Sequence, residues 1–131
     1  QERYNSITQS YQRGAEFILI CFDITEQSSF VAAKAWCEKS KQNALPGAKI
    51  YIIANKLDLE DQREVEKQVI EHYIEKQQLP LIEVSAKSGK NIDLLIETIC
   101  KDFIKKEEIK EPIMIQPIIT EFDQQKIDKC C

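Results

Sequence analysis

The sequence predicts an α/β domain in which parallel strands are layered with helices. Three observations point to it. FILICF (Phe17 to Phe22) and IYIIA (Ile50 to Ala54) are short continuous apolar runs bounded by polar residues, as strands buried on both faces of a parallel sheet read. Helical patterns separate the runs, and a strand, helix, strand, helix, strand order implies right-handed crossovers. A final stretch repeats its apolar residues at helical spacing and closes the domain.

The elements follow in order. After the strand FILICF, serines that can cap a helix start precede Phe30, Ala33, Trp36 and Cys37, which recur on one helical face. IYIIA is the second strand. Val65, Val69 and Tyr73 recur at four-residue steps and mark a second helix, and LPLIEV (Leu79 to Val84) is a weaker third strand. In the last helix Ile92, Leu95, Ile96, Ile99, Cys100 and Phe103 form one apolar face that packs on the sheet. The pattern stops after about Lys105. Residues 1–104 therefore read as the domain and 105–131 as a tail, with KKEEIKE a mixed-sign helix end and PIMIQPII a short apolar island.

Composition narrows the function. The chain has 131 residues, 43% apolar and 31% charged, enough for one globular core. A net charge of -4 with no basic stripe argues against a nucleic-acid partner, since phosphate binding needs clustered Lys and Arg. Of five cysteines, Cys21, Cys37 and Cys100 sit in apolar-patterned segments, where a free thiol acts as a small hydrophobe in a reduced, cytosolic setting. No run approaches the roughly 18 apolar residues of a membrane-spanning helix, so membrane attachment would come from lipid or a partner. His72, the single histidine, lies beside Glu71 and Glu75 and reads as a solvated surface residue, with no metal-ligand set.

Directly after IYIIA comes Asn55-Lys56-Leu57-Asp58, where α/β sheets bind ligands beyond the carboxyl ends of their strands. In this N-K-x-D pattern the Asp58 carboxylate can accept two hydrogen bonds, from the ring N–H and the exocyclic amine of guanine, a pair adenine lacks on that edge. Asn55 suits the purine N7 side and neighbouring backbone, and the aliphatic stem of Lys56 can lie over a ring face. After the third strand comes Ser85-Ala86-Lys87, where a backbone N–H can donate to guanine O6, an acceptor where adenine has an amine. Alone, N-K-x-D arises by chance in about one chain in a hundred of this length. Two motifs in order, each after a strand and before a helix, make the stronger signal. The competing readings are a turn or cap role for Asp58, a capping Ser85 and a plain surface Lys87.

With those residues in hand, the sequence resembles the Rab branch of the Ras-like small GTPases along essentially its whole length. QERYNSITQSYQRGA resembles that family's second switch, FILICFDIT its next strand, IANKLDL and EVSAK its two guanine loops, and the terminal Cys-Cys its lipidated end. Gln12 departs from the pattern, which has a second aromatic after Tyr11, and a change in partner contacts is expected there. The resemblance implies part of a P-loop GTPase (G domain) fold, three-layered with parallel strands and flanking helices. It also implies GTP and GDP as ligands, GTP hydrolysis, and a switch in vesicle traffic served by effectors, exchange factors and GTPase-activating proteins.

By the same resemblance Gln1 orients the attacking water. The 131 residues contain no G-x-x-x-x-G-K-[ST] loop, first switch threonine or W-D-T-A-G. The catalytic role of Gln1 and the Mg²⁺ site are thus expected of a longer parent, and the chain as given is expected to be inactive. A few charge-assisted bonds at roughly 1.5 to 3 kcal/mol each, less association costs, leave about millimolar guanine affinity. Cys130 and Cys131 are expected prenylation sites, two chains sufficing for stable peripheral anchoring on the cytoplasmic face of intracellular membranes beside a cytosolic pool. PIMIQPII admits two readings, a handle for the prenylation escort protein or loose packing on the domain. A second class of function is a non-catalytic, lipid-anchored interaction module derived from such a GTPase.

Overall fold

The computed structural model describes residues 5–109 of the chain. Helix α1 (Asn5–Gln12) leads into strand β1 (Phe17–Asp23), helix α2 (Gln27–Asn43) and strand β2 (Lys49–Asn55). A 3₁₀ segment (Leu57–Gln62), helix α3 (Lys67–Gln77), strand β3 (Leu81–Glu83) and helix α4 (Ile92–Ile109) complete it. The strands are parallel and ordered β1-β2-β3, in register from Phe17 opposite Lys49 to Asp23 opposite Asn55, and from Ile52 opposite Leu81 to Ala54 opposite Glu83. The expected α/β layering is present, with helices on both faces of the sheet.

The pleat divides the core in two, because successive side chains on a strand point to opposite faces. Ile18, Ile20, Phe22, Ile50, Ile52 and Ala54 meet Phe30, Ala33 and Cys37 of α2 and Ile70 of α3 on one face. Tyr51, Ile53, Ile82 and Val84 meet Leu95 of α4 on the other. β2 lies between its neighbours and is buried from Ile50 to Ala54, as its continuous apolar run predicts. β1 differs from expectation. It is a sheet edge among the described residues, and no described helix covers Leu19 and Cys21, which are exposed.

Other local expectations need correction. No serine caps α2; its N-cap is Glu26 without a side-chain cap bond. Ser29 instead accepts the Asp23 N–H at 2.9 Å and donates to the Glu26 carbonyl at 2.7 Å. α3 begins after Val65, which is buried in the preceding turn because its N–H and that of Glu64 bond the Ile24 carbonyl. The face α3 buries is Ile70, with Tyr73 and Ile74 packed beside it, and Val69 is exposed. The third strand is shorter than LPLIEV.

On α4 only part of the apolar face meets the sheet: Leu95 is buried, Ile92 and Ile99 partly so, while Ile96 and Cys100 are exposed. Of the cysteines read as small hydrophobes, Cys37 alone is buried. α4 continues past Lys105 to Ile109, held by Tyr51, whose phenol donates to Asp102, by Lys49 Nζ 3.1 Å from Asp102, and by Phe103, whose ring lies 6.3 Å from that of Phe17. Gln12 is buried, and its Nε2 donates to Ser40 Oγ at 3.2 Å, while Tyr11 is exposed.

Candidate functional site

The two loops singled out in the sequence lie side by side at the carboxyl ends of β2 and β3. Backbone bonds join them: the Val84 N–H donates to the Ala54 carbonyl at 2.8 Å, and the Leu57 N–H donates to the Val84 carbonyl at 3.0 Å. Asn55 Oδ1 then accepts the Lys56 N–H at 2.8 Å and the Ala86 N–H at 3.0 Å, so one side-chain oxygen ties the first loop to the second. Lys56 itself sits at φ 69°, ψ 36°. A non-glycine residue in that left-handed region costs about 1 kcal/mol, offset by the bonds around it.

Ser85 is fully buried between the loops. Its hydroxyl donates to Asp58 Oδ1 at 2.5 Å and accepts the Ser88 N–H at 3.1 Å. That O–H to carboxylate distance is in the range of charge-assisted bonds. The second loop closes on itself through Ser85 N–H to the Lys90 carbonyl at 3.0 Å and Gly89 N–H to the Ser85 carbonyl at 2.9 Å. Gly89 has φ 81°, a conformation that favours glycine. Asn91 Nδ2 donates to the Glu83 carbonyl at 2.8 Å and anchors the loop to the end of β3.

Two supports were not found by sequence reasoning. Asp23, the last residue of β1, places Oδ2 2.5 Å from Lys56 Nζ, while its Oδ1 accepts the Thr25 N–H at 2.8 Å and the Thr25 hydroxyl at 2.7 Å. Burial works against the Asp23 charge, but the bonds from Lys56 and Thr25 outweigh it and hold the carboxyl below its ordinary range. In turn, the bond to Asp23 raises the pKa of Lys56. The available signal was a polar residue ending a strand that pairs in register with Asn55. Arg63 is the other support. Its side chain is 9% exposed and reaches Glu60 at 2.6 Å and Glu83 at 2.7 Å, bracing the 3₁₀ segment that carries Asp58 against β3.

Asn55, Lys56, Asp58, Leu59, Ala86 and Lys87 line an open cleft of about 340 Å³. The structure thus brings together all six predicted loop residues, Ser85 standing behind the cleft wall. Gln1, Cys130, Cys131 and the island PIMIQPII lie outside the described residues. Asp58 Oδ2 accepts no bond among the described residues and remains available as an acceptor. The Ala86 N–H, expected to meet guanine O6, is donated to Asn55. It can serve O6 only as a shared donor, whereas the Lys87 N–H finds no acceptor among the described residues. The cleft therefore offers a carboxylate acceptor, a backbone donor and lysine stems, which suit the edge and face of a guanine. Among the described residues no group of three or more His, Cys, Asp and Glu is arranged to hold a metal ion.

Comparison with known proteins agrees in sequence. The family model described as the Ras family matches residues 1–105. The chain is 34% identical over 106 residues to the Ras-related protein Rab-13 of Rattus norvegicus, covering 81% of this chain and 52% of that protein. It is 34% identical over 129 residues to the GTP-binding protein YPT1 of Saccharomyces cerevisiae, covering 98% of this chain and 59% of the yeast protein. With the Ras-related protein RHN1 of Nicotiana plumbaginifolia it shares 30% identity over 131 residues, 66% of that protein's length. The chain thus spans roughly half to two thirds of the relatives it matches.

Proposed function

The chain belongs to the Ras family, as a Rab-like small GTPase, and on that premise we propose that its two interlocked loops read guanine for a nucleotide switch in vesicle traffic. One observation carries the reading: Asp58, which lines the cleft, is held at one oxygen by the buried Ser85 hydroxyl of the other loop, while its second oxygen accepts no bond among the described residues. A carboxylate fixed in this way accepts the paired donors of guanine without having to be ordered on binding. Asn55 keeps the loops in register, Lys56 and Lys87 supply stems over the ring, and the Ala86 and Lys87 N–H groups face the O6 side.

GTP hydrolysis, with Gln1 orienting water, and Mg²⁺ binding belong to the same proposal. So do prenyl anchoring through Cys130 and Cys131, the escort protein, effectors, exchange factors and GTPase-activating proteins. The proposed location is peripheral, on the cytoplasmic face of intracellular membranes, with a cytosolic pool. Among the described residues no helix is long and apolar enough to cross a membrane.

The test uses the ¹⁵N-labelled 131-residue chain titrated with GMP, XMP and AMP, with amide shifts at Ser85 to Lys87 as the readout. GMP is expected to bind near 1 mM, where about -4 kcal/mol places it, and AMP to leave the loops unmoved. Asp58→Asn turns one acceptor into a donor facing the guanine amine, whereas xanthine carries a carbonyl there. The preference should pass from GMP to XMP by at least about tenfold, a small part of what a site that hydrogen-bonds its ligand can impose. Equal weakening of GMP and XMP would show that Asp58 supports the loop without reading the base.

A further inference from the structure

We propose that Asp23 is a positioning residue that sets nucleotide affinity through Lys56 without taking part in base identity. The proposal rests on the guanine-site reading above and adds to it a residue on a third element. Parallel pairing puts Asp23 directly across from Asn55, about 4.8 Å away in the hydrogen-bonding direction of a sheet. From there its carboxylate meets the ammonium of the next residue, Lys56, at 2.5 Å.

The two ends of this contact differ in freedom. Asp23 is fixed by the Thr25 N–H and hydroxyl on its other oxygen and is mostly buried, its side chain 16% exposed. Lys56 is half exposed, and apart from this contact its ammonium has Glu26 and Asp58 as charged neighbours. Without Asp23 the flexible stem could follow either of those carboxylates, and turning toward Asp58 would place a cation on the base-reading acceptor. Asp23 instead draws the ammonium toward β1 and leaves the aliphatic stem as one wall of the cleft. A wall of methylene groups covers any purine alike, so this device changes how tightly a base is held and not which base is chosen.

Asp23→Asn separates this role from a structural one. The amide oxygen still accepts both Thr25 bonds, so the turn after β1 is kept while the ion pair is lost. On the 131-residue chain, GMP affinity is expected to fall about two- to fivefold, the range of an exposed ion pair. AMP should still leave the loops unmoved, and the pKa of Lys56, followed by NMR at its Cε and Nζ, should fall. In a Lys56→Met background, which keeps a stem without the charge, Asp23→Asn should have no further effect on GMP binding. Asp23→Glu, which retains the charge, should recover part of the affinity.

The outcomes are distinct. Wild-type binding with an unmoved Lys56 pKa or undiminished GMP affinity in Asp23→Asn overturns the positioning role and leaves the guanine reading standing. A changed base preference in Asp23→Asn also overturns it, because that would make Asp23 part of identity readout. Absence of any GMP-dependent shift in the wild type overturns the guanine reading, and the proposal with it.

Discussion

Replacing Ser85 with alanine tests whether the second loop holds the base-reading carboxylate of the first. Ser85 is fully buried, and its hydroxyl donates to Asp58 at 2.5 Å and accepts from Ser88 at 3.1 Å. A hydrogen bond to a charged group contributes roughly 1.5 to 3 kcal/mol. Asp58 and Ser88 are both exposed and regain water when the hydroxyl is removed. The net loss therefore belongs at the lower end, about 1 to 2 kcal/mol of folding stability.

The assay is urea unfolding of wild type, Ser85→Ala, Asp58→Ala and the double variant, followed by circular dichroism and by fluorescence of the single tryptophan, Trp36. Coincident transitions with unchanged slope justify reading midpoints as free energies. If the bond ties the loops, the double variant should lose less than the sum of the singles, with a coupling of about 1 kcal/mol or more. Additivity within about 0.3 kcal/mol would refute the reasoning and leave Asp58 as an independent loop residue. The same Ser85→Ala variant should weaken GMP shifts in the cleft, since Asp58 must then be ordered at the moment of binding.

Two further predictions concern the scaffold. Phe30 is 1% exposed, with its ring 4.9 Å from Phe22 and 5.8 Å from Tyr73, so Phe30→Ala should cost about 3 to 5 kcal/mol in the same urea assay. A loss under about 1 kcal/mol would mean that the larger core does not depend on that ring. Acid should also destabilise the chain. Glu60 beside Arg63, Asp102 beside Tyr51 and Lys49, and Asp23 all have folded pKa values below their ordinary 4.5 for Glu and 3.8 for Asp. Their contribution is complete above those ordinary values and is lost as pH falls through the folded ones. Urea midpoints should therefore be level from about pH 6 to 5 and drop below about pH 4; a flat profile to pH 2.5 would contradict the pairings.

How much of this was legible depended on whether the deciding neighbour lay close in sequence. IYIIA reads correctly because a central strand is apolar on both faces, and the N-K-x-D residues follow it without a gap. FILICF carries the same local signal, yet Leu19 and Cys21 are exposed, because burial on that face depends on what covers it and not on the run itself. On α3 the four-residue spacing of Val65, Val69 and Tyr73 was a true regularity with the wrong face. Val65 is buried by backbone bonds to Ile24, a contact across the chain that spacing does not encode. Gln12 is similar: its partner Ser40 lies on α2, and only packing reveals that the polar side chain turns inward.

The same distinction explains why the base-reading residues were found and their supports were not. Asn55, Lys56 and Asp58 form a contiguous pattern whose chemistry can be argued from side-chain type. Asp23 enters the site through strand register, and Arg63 enters by spanning from the 3₁₀ segment to Glu83. Their joint effect divides the work of the cleft. Asp58, fixed by Ser85, decides among bases through donors and acceptors that a wrong base leaves unmatched. Lys56, fixed by Asp23, contributes contact that every purine shares. Substitutions at the two carboxylates should therefore separate cleanly: Asp58→Asn passes the preference from GMP to XMP, while Asp23→Asn lowers GMP affinity and preserves the preference for GMP.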